Sequence, residues 1–297
     1  MTAQPHNYRA TMAPAASLQV RRTHELPAGA VPLVQPGELA QAHQPIAELR
    51  AQGTVVQIHA GFAGRVVDVT LGRSITLEGP AYVYKGMLGI GPYATGALAF
   101  LPPGESLALV PIPAGAVIVY PYRAPLTLLQ RAATGGATGI IAASASAREL
   151  ESFARVDLTA MLDGLPPGSA RFPLTVVLTE GLGEATMESE TYERFVQHAG
   201  AFVLLNGDTR PREGVRPEVL LPPTAGMQAG THAAAPVMVG AAVMVVSGPY
   251  RGARGRVLYL YQHAQYSESG VLLPSAKVQM SDGRVLPMPL ANLEGLG

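Results

Sequence analysis

The stretch that most constrains the fold lies near the end of the chain and reads, from Val243 to Val257, V-M-V-V-S-G-P-Y-R-G-A-R-G-R-V. Its first valines alternate with other residues, as in a strand with one buried face. Gly248-Pro249 ends that strand, and Gly252 and Gly255 suit the positive φ angles of a tight connection. A second β run begins at the last valine. The pattern predicts one sharply turned β-hairpin.

In this order the residues resemble the KOW motif, the hairpin of a small Src-homology-like barrel. That motif is found in NusG-type transcription factors, their archaeal and eukaryotic relatives, and several large-subunit ribosomal proteins. The resemblance implies a small five-stranded KOW-type barrel over residues 237–297, docking on nucleic acid, the ribosome or RNA polymerase. A second hairpin around Ser281-Asp282-Gly283 fits such a barrel. NusG-type factors place a ferredoxin-like domain before the motif, and no segment here resembles one.

Composition excludes several kinds of chemistry. The 297-residue chain has 21 basic and 21 acidic side chains, so its formal net charge is zero. Any contact with nucleic acid must therefore be a local patch. The absence of cysteine excludes disulfides, thiolate nucleophiles and cysteine-ligated metal clusters. The 33 glycines and 26 prolines favour many short strands joined by turns, which predicts a β-dominated α+β fold.

The first half of the chain divides into two predicted segments. Residues 1–47 mix Ala, Pro, Gln and His without a period, and we expect a flexible N-terminal arm with little regular structure up to about Gln44. Residues 48–112 contain short strand-like runs separated by glycine turns, among them Gly79-Pro80. This segment resembles a barrel-sandwich hybrid, the fold class that includes biotinyl and lipoyl carriers.

Residues 113–221 change to an α/β pattern. Helix signals stand at Pro125, where a helix can start, and at Gly135-Gly136, where it can stop. The segment resembles swivelling β/α domains, including protease-associated modules, and residues 222–236 are predicted to form a linker. The expected elements are strands at Gly115–Tyr120, Ala137–Ala143, Pro173–Thr179 and Ala201–Leu205, and helices after Pro125 and over Glu184–His198.

The predicted C-terminal hairpin carries the first set of candidate binding residues, Tyr250, Arg251, Arg254, Arg256 and Tyr259. Arginines beside tyrosines on a turn can contact phosphates and stack on bases. The alternative is that the tyrosines fill the barrel and the arginines only keep its surface soluble.

A second candidate set is a ligand loop formed by Asn206, Arg210, Arg212 and Arg216. Arginine side chains suit phosphate or carboxylate ligands. Because acids such as Asp208 lie between these residues, the pattern favours a solvated loop that is paired with itself over a ligand site.

Two further features suggest other chemistry. Thr179–Gly183 is expected to lie between a strand and the helix starting at Glu184, where backbone N–H groups can bind an anion, but a structural turn is the favoured interpretation. Lys85, one of two lysines, is a candidate for covalent modification in a carrier domain, but Tyr84 and Gly86 replace the methionines expected around biotinyl lysine. The histidines have no metal-site spacing, and no catalytic set emerges.

These patterns predict a non-catalytic accessory protein without a cofactor or metal. Its C-terminal barrel is expected to dock on nucleic acid, the ribosome or RNA polymerase while the other domains bind a protein partner. The alternative is a structural or assembly subunit of a large complex, favoured by the neutral charge, and homo-oligomerisation stays open. No apolar segment is long enough for a transmembrane helix, so no membrane contact and a cytoplasmic location are expected.

Overall fold

The computed structural model confirms that the protein is β-dominated, with 50% of residues in strands and 15% in helices. It describes residues 18–51, 53–101, 110–162, 172–210, 213, 215–223, 237–245, 250–263, 265–266 and 272–296. Most of the predicted linker over 222–236 lies outside these residues. No helix in the described ranges is long and apolar enough to cross a membrane.

The N-terminal β unit starts much earlier than predicted. Its strands are β1 (Leu18–Glu25), β2 (Val31–Pro32), β3 (Leu39–Ala40), β4 (Pro45–Ala51), β5 (Thr54–His59), β6 (Gly64–Thr70) and β7 (Ser74–Lys85). The expectation of little regular structure before Gln44 is therefore wrong from Leu18 onward. The apolar side chains of Val20, Val34 and Ile46 are buried in one core with Ile75 of β7, and burial of these scattered residues offsets the low strand propensity of the prolines around them.

Strand β7 connects this unit to the next one. Its first eight residues pair with β1 on one side, while β6 pairs along Ser74–Glu78 on the other. Gly79-Pro80, predicted to be a turn, lies inside this strand. A side chain at Gly79 would place its Cβ 2.3 Å from the carbonyl oxygen of Ala63, so glycine is needed for a close approach of two backbones.

The middle of the chain forms the α/β part of the same sheet. Its elements are β8 (Leu88–Ile90), β9 (Tyr93–Phe100), β10 (Ala116–Arg123), α1 (Leu126–Thr134), β11 (Gly139–Ala145), α2 (Ala147–Ala154), α3 (Leu158–Leu162), β12 (Thr175–Leu182), α4 (Ser189–Gln197), β13 (Phe202–Asn206) and β14 (Glu218–Leu221). The strand order is β3-β6-β7-β14-β13-β9-β10-β11-β12-β8. The predicted boundary at 112/113 falls between β9 and β10, which pair in parallel within this sheet.

Helices cover both faces of the α/β sheet. Along β10, Ile118 faces the core shared with α1 and α2, whereas Val117 and Val119 face the core that contains Phe195 of α4. A strand buried on both faces needs the continuous apolar run that this segment has. The strands expected from Gly115 to Leu205 are present, and α1 starts after Pro125 as predicted, but α4 is shorter than the predicted helix.

The C-terminal unit is a five-stranded antiparallel sheet of order β20-β19-β16-β15-β21. Its elements are β15 (Ala242–Val245), β16 (Arg254–Leu260), β17 (Gln265–Tyr266), β18 (Leu272–Leu273), β19 (Ser275–Met280), β20 (Val285–Pro289), a 3₁₀ turn (Leu290–Asn292) and β21 (Leu293–Gly295), with β17 and β18 forming a separate two-stranded ribbon. Strands β15 and β16 form the predicted hairpin, although residues 246–249 of its connection lie outside the described ranges.

The two hairpin glycines have different structural reasons. Gly252 has a φ of +84°, as predicted for the turn. Gly255 does not have a positive φ in the structure. A Cβ there would lie 2.7 Å from the carbonyl oxygen of Gln279, so this glycine allows β16 and β19 to approach each other.

We expect Gly79→Ala to lower the free energy of unfolding by about 2 to 3 kcal/mol, because the new methyl group overlaps the Ala63 carbonyl and forces β6 and β7 apart. Urea unfolding monitored by circular dichroism measures this. The matched control is Glu78→Ala, one residue earlier and exposed, which should change stability by less than about 0.5 kcal/mol. Equal effects of the two substitutions would contradict the close-approach argument.

Candidate functional site

A β-bulge in β16 determines which side chains face outward from the C-terminal sheet. Val257 pairs with Val278, but the next paired residue is Tyr259, opposite Lys277, so two residues of β16 stand against one of β19. Without the bulge, the alternation of a strand would place Tyr259 on the buried face with Val257. The extra residue instead leaves Tyr259 46% exposed on the outer face, beside Lys277.

The same outer face carries three cationic side chains. Arg254 and Arg256 are exposed on β16, and Arg256 lies opposite Gln279, which is exposed on β19. In the part of the chain that the structure describes, neither arginine is ion-paired with a carboxylate, and nor is Lys277. The sequence prediction missed Lys277 and Gln279, although the alternation in A-K-V-Q-M indicates that they point away from the core.

Two of the predicted hairpin residues have other contacts. Arg251 is ion-paired with Glu188 just before α4, and this hydrogen bond raises the pKa of the arginine. The ring of Tyr250 packs against the C-terminal core, and the guanidinium of Arg284 lies 5.3 Å from its centroid. The five predicted residues therefore separate into an outward group, Arg254, Arg256 and Tyr259, and a pair engaged within the protein.

One ion pair links the β21 edge of the C-terminal sheet to the end of β7. Lys85 Nζ at the end of β7 lies 3.7 Å from Glu294 Oε1 in β21. Nearby, Arg216 donates to the carbonyl of Gly86 at 3.0 Å, and burial lowers the pKa of this arginine although Glu294 opposes that change. The outer face is therefore in contact with the rest of the protein at β21, whereas its side chains on β16 and β19 are exposed.

The predicted ligand loop does not form a single site. Asn206 and Arg210 line a cleft of about 780 Å³, whereas Arg216 lies at the contact with the C-terminal sheet and Arg212 is outside the described residues. Arg210 forms ion pairs with Asp208 and Glu213. Arg210 is thus paired with acidic residues of its own loop.

The interior of this cleft contains a buried histidine. His24 is only 3% exposed, and its ring lies edge-on to Tyr93 with the centroids 5.4 Å apart. Burial lowers the pKa of His24 to about 4, with a hydrogen bond to the backbone of Ala60 acting in the opposite direction. Among the described residues, no group forms a hydrogen bond with Nε2.

The two other sequence candidates lie in regular strands. Thr179–Leu182 belongs to β12, and α4 starts only at Ser189, so the expected position of this segment between a strand and the start of a helix is wrong. The backbone of Lys85 pairs with that of Glu218 in the sheet, and the residue is half-buried at the end of its strand. This position differs from the exposed hairpin tip of a carrier lysine.

Comparison with known protein families, with curated proteins and with solved structures found no match. No cluster of three metal-binding side chains occurs within the described ranges. The functional argument therefore depends on the geometry of the C-terminal face and of the cleft.

We expect stability to fall between pH 6.5 and pH 4 because of His24. In this range the unfolded chain binds a proton at the imidazole while the folded protein does not, so acid favours unfolding. Above pH 6.5 the residue is neutral in both states and contributes no pH dependence. The depressed pKa corresponds to a loss of about 3 kcal/mol at pH 4.

Urea unfolding at pH 7, 5.5 and 4.5 tests this expectation. His24→Gln should flatten the decline in unfolding free energy with acid, whereas His263→Gln, at an exposed position, should leave the slope unchanged. An unaltered slope in His24→Gln would contradict the assignment.

Proposed function

We propose that this protein binds single-stranded RNA through the outer face of its C-terminal sheet. The observation that carries the proposal is the bulge between Val257 and Tyr259, which places an aromatic ring beside Lys277 and in line with Arg254 and Arg256. Exposed aromatic rings stack on unpaired bases, and adjacent cations contact the backbone phosphates.

Several features support a KOW-type barrel as the carrier of this face. The five antiparallel strands, the β15–β16 hairpin with its positive-φ glycine, and the return of β21 to pair with β15 agree with the resemblance of the hairpin sequence to that motif. A bulge next to a binding surface is also a common way to redirect a side chain. In this proposal the barrel docks on RNA alone or within the ribosome or a transcription complex.

The zero net charge shapes the expected binding. A chain without an overall positive field gains little long-range attraction to nucleic acid, so the contact must come from the local face. Three cations on single-stranded RNA correspond to a slope of about −2 in log K against log salt.

We propose that the N-terminal unit, as a barrel-sandwich hybrid, and the swivelling α/β unit hold a protein partner without catalysis.

One observation favours assembly as a second candidate function. Strand β5 lies at the edge of the three-stranded β2-β4-β5 sheet, and Val55 and Val56 are each about half exposed. Exposed apolar edge strands can pair with another chain. Light scattering over a concentration series tests this candidate, and Val56→Lys should abolish any association that uses this edge.

We expect Tyr259→Ala to weaken binding of a fluorescein-labelled twelve-nucleotide oligouridine about tenfold or more, because the variant loses base stacking. Arg256→Glu should weaken binding more than Tyr259→Ala does, and it should make the slope of log K against log salt less steep. Fluorescence anisotropy at several salt concentrations measures both effects. Since Tyr259 and Arg256 are exposed, neither substitution removes a core contact.

The matched control is Arg148→Glu, which makes the same charge change at an exposed position on α2. It should leave binding and the salt slope unchanged, and Tyr259→Trp should retain binding. If Arg148→Glu weakened binding as much as Arg256→Glu, the effect would depend only on net charge. No binding by the unaltered protein would reject the RNA proposal.

A further inference from the structure

The cleft next to His24 lies where the N-terminal β unit meets the α/β unit. Its lining includes the end of β1, the turn between β8 and β9, and the segment after β13. Its volume of about 780 Å³ lies within the range of small-molecule sites, which often occur between structural units. The cleft is distant in sequence and separate in lining from the C-terminal face.

One part of the cleft wall is apolar. The side chains of Ile58, Ile90, Met161 and Phe172 line it, together with prolines at 27 and 92. These residues come from five separate segments that meet only in the folded chain. An apolar wall of this kind favours a ligand with a hydrocarbon or aromatic body.

Acidic side chains, Glu25 and Asp208, also line the cleft. The hydroxyl of Tyr93 lies in the field of three carboxylates, Glu218, Asp208 and Glu25, and burial together with these charges raises its pKa. Glu218 is neutralised by Arg22, whose Nε and Nη2 donate to the two carboxylate oxygens at 2.5 and 2.7 Å.

The remaining charges do not cancel. Arg210 is shared between Asp208 and Glu213, which leaves that group with a net negative charge. Glu25 has no ion pair among the described residues. Arg210, the arginine among the described residues lining the cleft, therefore already has carboxylate partners, and Arg73 lies with Glu25 in an adjoining pocket without an ion pair to it. An anionic ligand in the cleft itself would meet Asp208 and Glu25.

Two polar side chains that line the cleft have hydrogen-bonding capacity that no described residue uses. Buried polar atoms usually have a hydrogen-bond partner, yet His24 Nε2 has none in the described part of the protein. The Asn206 side chain accepts from the Asp208 N–H through Oδ1, and its NH₂ group can donate to another acceptor. A polar ligand group can satisfy such atoms.

We propose that this cleft binds a small organic amine, with the ammonium group near Glu25 and Tyr93 and the apolar body against Ile90 and Phe172. The carboxylate supplies charge complementarity, and the face of an aromatic ring attracts a cation. The apolar wall accepts the body of the ligand. This site is independent of the RNA proposal, because the two surfaces share no residue.

Three probes of matched size test the chemistry of the site: phenethylamine, 2-phenylethanol and phenylacetate, which are cationic, neutral and anionic at pH 7. Isothermal titration calorimetry at millimolar probe concentrations measures their affinities. We expect phenethylamine to bind about fivefold or more tightly than the alcohol, and phenylacetate to bind weakest. An equal or reversed order would overturn the proposal.

Variants locate the binding. Glu25→Gln should weaken the binding of phenethylamine about fivefold and leave the affinity for 2-phenylethanol unchanged, because only the charge is removed. Glu193→Gln, an exposed position on α4 outside the cleft, is the matched control and should have no effect. Tyr259→Ala should also leave amine binding intact, so failure of the RNA proposal is distinguishable from failure of this one. Binding that is insensitive to Glu25→Gln would overturn the assignment.

Discussion

The pairing of β7 with two groups of strands is the constraint on which the rest of the structure depends. Its first part forms ladders with β1 and β6, and residues 82–85 form a ladder with β14. Because one strand belongs to both groups, the N-terminal unit and the α/β unit cannot rotate as separate bodies without breaking backbone hydrogen bonds. The cleft lined by Tyr93 and His24 lies at this junction, and these two residues are held in place by the shared sheet.

The distribution of charge explains how a chain with no net charge can still have a cationic face. The arginines near acidic residues are used internally, as in the Arg22–Glu218 pair and the Arg251–Glu188 pair. Such pairs fix relative positions more than they add stability. Among the described residues, Arg254 and Arg256 have no carboxylate partner, because the neighbouring strand presents lysine and glutamine instead of acids. Local pattern therefore matters more here than the total charge.

The sequence predicted the elements whose signals are local. The hairpin of β15 and β16, the buried strand β10 and the start of α1 after Pro125 follow from alternation, apolar continuity and proline position. Predictions failed where partners distant in the chain decide the outcome. Strand β1 lacks a strong sequence pattern and is ordered by pairing with β7. Gly79 stands before a proline and so suggests a turn, but in the structure it allows β7 to approach the backbone of Ala63 closely.

The candidate sites show the same limit in a sharper form. Sequence identified Arg254, Arg256 and Tyr259 as a group, but no residue pattern indicates the bulge that turns Tyr259 outward, because the bulge exists only in the pairing of β16 with β19. Of the residues that line the cleft, only Asn206 and Arg210 were sequence candidates, because His24 and Glu25 belong to a segment expected to be a flexible arm. Both sites consist of residues from distant segments, so they become recognisable only when the strand pairing is known.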